Sequence, residues 1–104
     1  MTNWHRICSL SEVSEDLPFV AEVEGEQMAV FKSGGEYFAL RDVCSHAFAR
    51  LSEGFVMGRA VECPLHGALF DLRTGKCISN PPYDDIRAYA VRIAENDIFV
   101  EIPL

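Results

Sequence analysis

Cys44-Ser45-His46, then sixteen residues, then Cys63-Pro64-Leu65-His66, is the stretch on which the reading of this chain turns. Two thiolate and two imidazole donors arrive as two short Cys/His pairs, and this is the pattern of a metal site built from two similar loops. Two occupants suit the donor set. A structural zinc ion accepts two cysteines and two histidines, but zinc fingers space like ligands in pairs, whereas each pair here is mixed and the first has one intervening residue. A [2Fe–2S] cluster separates ligands by type, with Cys44 and Cys63 on one iron and His46 and His66 on the other. Neutral imidazoles in place of two thiolates remove negative charge from such a centre and make an added electron easier to accept.

Around this stretch the chain has the size of one domain. Its 104 residues support a single hydrophobic core and leave no room for a large catalytic unit. Apolar residues make up 49% and charged residues 24%, as in ordinary globular proteins. No run approaches the roughly 18–20 consecutive apolar residues of a membrane span, and the amino end lacks the pattern of a secretory signal. A cytoplasmic location is therefore expected, and in that reducing compartment Cys8, Cys44, Cys63 and Cys77 suit metal ligation or burial better than disulfides. Cys8 and Cys77 have no partner motif and read as small buried hydrophobes, and His5 as a surface residue. Sixteen acidic against nine basic side chains give a formal charge of -7. Such a surface repels nucleic acid and anionic membrane, and it suits either a protein partner with a basic face or simply the solubility of a small domain.

The flanks read as strands. A first edge strand is expected over 4–9, a loop over 11–17 ahead of Pro18, and a half-buried strand over 19–24. Residues 28–32 and 37–40 flank Ser33-Gly34-Gly35-Glu36 as a hairpin. Residues 54–62 read as two short strands around Gly58-Arg59, followed by a strand over 68–72 that resumes at 76–78. Ser79-Asn80-Pro81-Pro82-Tyr83 breaks it. A long strand over 86–93, alternating Ile86 and Ala88 against Tyr89 and Val91, closes on 98–102. No window has a helical period, so the expectation is an antiparallel all-β sandwich or small barrel.

Cys44-x-His46 with Cys63-x-x-His66-Gly67 is the signature of Rieske proteins. Leu51-Ser52-Glu53-Gly54, Phe70-Asp71, Arg73-Thr74-Gly75-Lys76 and Pro81-Pro82 extend the resemblance, which covers most of residues 37–102. In length and in these segments the chain resembles the small soluble Rieske ferredoxins of bacterial aromatic-ring dioxygenase systems. The resemblance implies a single Rieske domain over 1–104, with a cluster-binding part at about 42–83 inserted in a β-sandwich or barrel base. It implies one [2Fe–2S] cluster held by Cys44, His46, Cys63 and His66, and a non-catalytic carrier of single electrons. The implied partners are a flavin-dependent reductase and a terminal Rieske oxygenase, visited in turn by a monomer through transient complexes. The alternative it leaves is a Rieske small subunit of a larger redox enzyme such as a nitrite reductase.

Departures refine the expectation. Respiratory Rieske proteins join an extra cysteine from each ligand loop in a disulfide, and here the matching positions are Ala49 and Leu65. They also place a serine and a tyrosine hydroxyl near the cluster, where this chain has Ala68 and Phe70. Missing donors imply a potential near the low end of the Rieske span of about -150 to +300 mV. Ala47-Phe48 replaces the glycine and acidic residue common after the first histidine, offering either an apolar contact at the cluster tip or an inward ring. Ser79 to Tyr83 is expected to cover the cluster.

Overall fold

Met28-Ala29-Val30-Phe31 and Phe38-Ala39-Leu40 have no polar face, and a strand without a polar face needs cover on both sides. That requirement sets the architecture. The computed structural model describes residues 2–44, 49–65, 67–79 and 84–103. Among the described residues ten strands run in the order β1 (Thr2–Ser9), β2 (Phe19–Val23), β3 (Glu26–Ser33), β4 (Glu36–Arg41), β5 (Phe55–Met57), β6 (Ala60–Glu62), β7 (Leu69–Asp71), β8 (Ala88–Tyr89), β9 (Val91–Ala94) and β10 (Asp97–Pro103). All pairings are antiparallel, in sheets of order β1-β10-β9, β2-β3-β4-β8 and β5-β6-β7. Among the described residues the only helical pieces are two three-residue 3-10 turns, Leu10–Glu12 and Leu51–Glu53.

The sheet containing β3 and β4 is the middle layer. Its hairpin turns at Gly34-Gly35, whose φ values of 61° and 79° are those a tight two-residue turn between Ser33 and Glu36 demands. Register then divides the apolar runs. Met28, Val30, Ala39 and Tyr89 face a core shared with Cys8, Ile98, Val100 and Ile102 of the β1-β10-β9 sheet. Ala29, Phe31, Phe38 and Leu40 face a second core with Leu51, Val61, Phe70 and Leu72, and this core also holds Cys44 and Cys63. The two larger sheets form the expected base, and the third sheet is added on the far face of the middle layer.

The insertion point is explicit. β4 pairs with β8 at Ala39–Tyr89 and Leu40–Ala88, and the Arg41 N–H donates to the Arg87 carbonyl at 2.9 Å. The chain therefore leaves one strand and returns to its neighbour. Within the excursion, Val56, Val61 and Phe70 stand in one register row that an isolated bridge extends to Cys77, and all four pack into the second core.

Two expectations change in detail. The strand expected over 86–93 divides at Ala90, because β8 belongs to the middle sheet and β9 to the outer one. Ile86 and Ala88 serve one core while Tyr89 and Val91 serve the other, so the alternating pattern records a crossing between layers. The strand expected over 76–78 is a single bridge at Cys77, flanked by the Asp71 N–H to Lys76 carbonyl and Ile78 N–H to Leu69 carbonyl bonds, each 2.8 Å.

Cys8 and Cys77 differ in burial. Cys8 is 1% exposed and burial pushes its thiol from the ordinary 9.0 up to about 11, whereas Cys77 is half-buried. His5 is half-buried on β1, with an Nε2 that has no hydrogen-bond partner among the described residues, so it is not the surface residue expected. A thiol whose folded pKa exceeds its unfolded one stabilises the fold below the unfolded value and loses that contribution as pH rises through the folded one. Between about pH 9 and 11 Cys8 should remove roughly 2–3 kcal/mol at about 1.4 kcal/mol per unit. Denaturant unfolding at pH 8 and pH 10.5 should show a smaller alkaline loss in Cys8→Ala than in the parent.

Candidate metal centre

The two cysteines sit in matching loops. The first leaves β4, and the N–H of Cys44 donates to the Ala49 carbonyl at 2.9 Å; the second leaves β6, and the N–H of Cys63 donates to the Ala68 carbonyl at 2.8 Å. In each loop the bond joins a cysteine to an alanine five residues on, and all four residues are buried. Each loop is thereby tied at its neck. In the second, the Gly67 N–H also donates to the Cys63 carbonyl at 3.1 Å, while Pro64 and Leu65 are exposed, Leu65 to 61%.

His46 and His66 lie outside the described residues, as do Ala47, Phe48 and Asn80 to Tyr83. By sequence, His46 falls between Cys44 and Ala49 and His66 between Cys63 and Ala68. Neither cysteine is in a disulfide, and both contribute to one core. Two buried thiols from symmetrically tied loops, each loop carrying one histidine, fit a [2Fe–2S] centre with ligands sorted by type.

The necks are braced by groups that no sequence motif announced. Asp42 is 0% exposed, and its carboxylate accepts the Ser52 N–H and the Ser52 Oγ–H, each at 2.7 Å. Arg50 Nη1 approaches the same carboxylate at 3.8 Å, and the Asp42 N–H donates to the Gln27 carbonyl at 2.9 Å. Asp42 thus joins the residue run before Cys44 to the 3-10 turn after Ala49 and to β3. The available signal was an acidic residue two places before a candidate ligand cysteine at the end of an apolar strand, which is too common to single out.

A second brace joins the two loops. Gly54 packs so closely on the end of β6 that a Cβ there would overlap the Glu62 carbonyl oxygen and approach Pro64 Cδ at 3.2 Å. Only glycine fits. At the base of the 79–83 segment, the Cys77 N–H donates to Asp85 Oδ1 at 2.9 Å and its sulfur lies 3.4 Å from Ser79 Oγ.

An all-β base presenting two tied loops of Cys/His donors defines an iron–sulfur protein of the electron-carrying kind. The chain belongs to the Rieske [2Fe–2S] domain family, whose model matches residues 3–90, and its cofactor is one [2Fe–2S] cluster. It is 43% identical over 103 residues to the anthranilate 1,2-dioxygenase ferredoxin subunit of Burkholderia cepacia, covering 98% of this chain and 94% of that one. Its structure matches a ferredoxin chain in the complex of reduced oxygenase and oxidized ferredoxin in carbazole 1,9a-dioxygenase, with TM-score 0.84, 31% identity and coverage of 93% and 91%. It also shares its fold, at TM-score 0.90 and 23% identity, with a putative NADH-dependent nitrite reductase small subunit from Mycobacterium tuberculosis, covering 100% and 98%.

Gly54→Ala should force the two loops apart, costing roughly 1–3 kcal/mol as overpacking does. Iron and acid-labile sulfide per chain, measured against time after purification, should fall faster in Gly54→Ala than in the parent; equal retention would show that the loops tolerate separation.

Proposed function

We propose that this chain is a soluble Rieske ferredoxin that accepts single electrons from a flavin-dependent reductase and delivers them to the terminal oxygenase of an aromatic-ring-hydroxylating dioxygenase system. The whole of 1–104 acts as one domain, with residues 42–83 forming the cluster-binding part. Cys44 and Cys63 ligate one iron and His46 and His66 the other. The observation that carries the reading is the pair of equivalent neck bonds, Cys44 to Ala49 and Cys63 to Ala68, which tie the two Cys/His segments at matching positions. The near full-length likeness to a dioxygenase ferredoxin supports the partner assignment. No helix among the described residues is long and apolar enough to cross a membrane, and the proposed location is the cytoplasm.

The bound cluster supplies one-electron redox chemistry, and the protein supplies insulation and access. Ala68 and Phe70, 1% and 0% exposed, offer no hydroxyl to the cluster sulfurs, which favours a potential near the low end of the Rieske range. The thiolate side is buried, so the imidazole edges are the exit for the electron. Exposed Pro64 and Leu65 give a small apolar contact, and the net charge of -7 steers a basic partner without holding it long. A monomer meeting each partner briefly suits a carrier that must leave one to reach the next. The nitrite reductase alternative has less support, since at 23% identity that likeness speaks for the fold alone.

The deciding experiment is mild purification with iron and sulfide analysis and an EPR spectrum of the reduced protein. Equal iron and sulfide with a Rieske-type signal is the expected result, and zinc without sulfide would overturn it. His66→Ala and Cys63→Ser should each abolish the native signal, while Ala68→Ser should raise the midpoint potential. Stable co-purification with a large catalytic chain would favour the subunit alternative.

A further inference from the structure

Asp42 is the only charged side chain among the described residues that is fully buried, and it stands two residues before Cys44. Two residues of chain span at most about 7 Å, so the backbone of Asp42 lies within that distance of the candidate ligand Cys44. Its counter-charge is placed differently. Arg50 reaches the carboxylate at 3.8 Å from a side chain that is 51% exposed, so water and salt screen the guanidinium while the buried anion stays unscreened. The other compensation comes from neutral dipoles, the Ser52 N–H and Oγ–H.

We propose that Asp42 is a positioning residue that also lowers the reduction potential of the cluster, with Arg50 and Ser52 as opposing partial compensators. This rests on the assignment of Cys44 as a cluster ligand. Reduction adds one electron to a centre beside a buried negative charge, and that repulsion acts only on the reduced state relative to the oxidised one. The carboxylate earns its place in the core structurally, because it ties both ends of the first ligand loop to β3. The electrostatic consequence follows from the two hydrogen bonds and one ion pair that fix the carboxylate at that place.

The arrangement makes opposite-signed predictions that loosening of the loop does not. Redox titration followed by EPR would be run on holoprotein of the parent, Asp42→Asn, Arg50→Gln and Ser52→Ala, at low and high salt. Asp42→Asn keeps the shape and can still pair with Ser52, and its potential should rise. Arg50→Gln and Ser52→Ala remove positive potential from the carboxylate, and theirs should fall. The Arg50→Gln shift should shrink at high salt, and the Asp42→Asn shift should persist, because only the first charge is in contact with solvent. Asp42→Asn with full cluster content and an unchanged or lowered potential would overturn the inference. Should that variant fail to hold its cluster, an unchanged or raised potential in both Arg50→Gln and Ser52→Ala would overturn it equally, and a fall in both would support it. Failure of the parent to show iron, sulfide and a Rieske-type signal would instead count against the cluster assignment.

Discussion

The neck bonds of the two ligand loops are the constraint on which the site depends. A metal centre tolerates ligand displacements of a few tenths of an ångström, while an irregular loop is the least restrained part of a chain. Here each loop is closed by a backbone hydrogen bond from its cysteine to the alanine five residues on, buried within the same core. Burial matters because an amide bond sheltered from water costs its full strength to break and has no solvent competitor. Alanine at the two closing positions has a steric logic as well. Ala49 and Ala68 are 8% and 1% exposed, so a larger side chain would intrude on the core that holds the thiols.

The necks in turn are only as fixed as the sheet beneath them. The excursion begins and ends on neighbouring strands, joined at Arg41 and Arg87, and Leu51, Val61, Phe70 and Leu72 press it onto one face of β3 and β4. The other face of those strands is buried against the β1-β10-β9 sheet. A layer with well-packed cores on both sides cannot shift to suit one of them without disturbing the other. For a carrier this stiffness is useful, since a frame that moves little between oxidation states keeps the cost of reorganisation low.

How much of this could be read from sequence follows the range of the interactions. The candidate ligand set is spelled by short spacings, and the β3–β4 hairpin by Gly34-Gly35, because both signals are local. The continuous apolar runs of β3 and β4 were legible as strands, yet their role as a shared middle layer rests on which distant strands cover each face. The run from Ile86 to Ile93 shows the same limit. Its period-two alternation was visible, but the change of sheet at Ala90 depends on pairing with β4 before it and β10 after it. Asp42 was invisible for another reason. Its partners Ser52 and Arg50 lie eight to ten residues away across a ligand loop, at no spacing that defines a motif.

The distribution of exposed apolar side chains adds a last constraint on how such a carrier meets its partners. Phe55, Met57, Leu65 and Ile78 all belong to the excursion between β4 and β8 and are each more than half exposed. Register places Phe55, Glu62 and Leu69 in one row across β5, β6 and β7, so an acidic side chain stands between apolar ones. Apolar groups interrupted by charge make a contact that is wetted easily and released easily, unlike the continuous apolar core of a permanent interface. Attraction at a distance comes from net charge and proximity of the redox centre from the tied loops, while a broken apolar surface keeps the encounter short. That combination serves turnover, because an electron carrier held tightly by either partner would cease to carry.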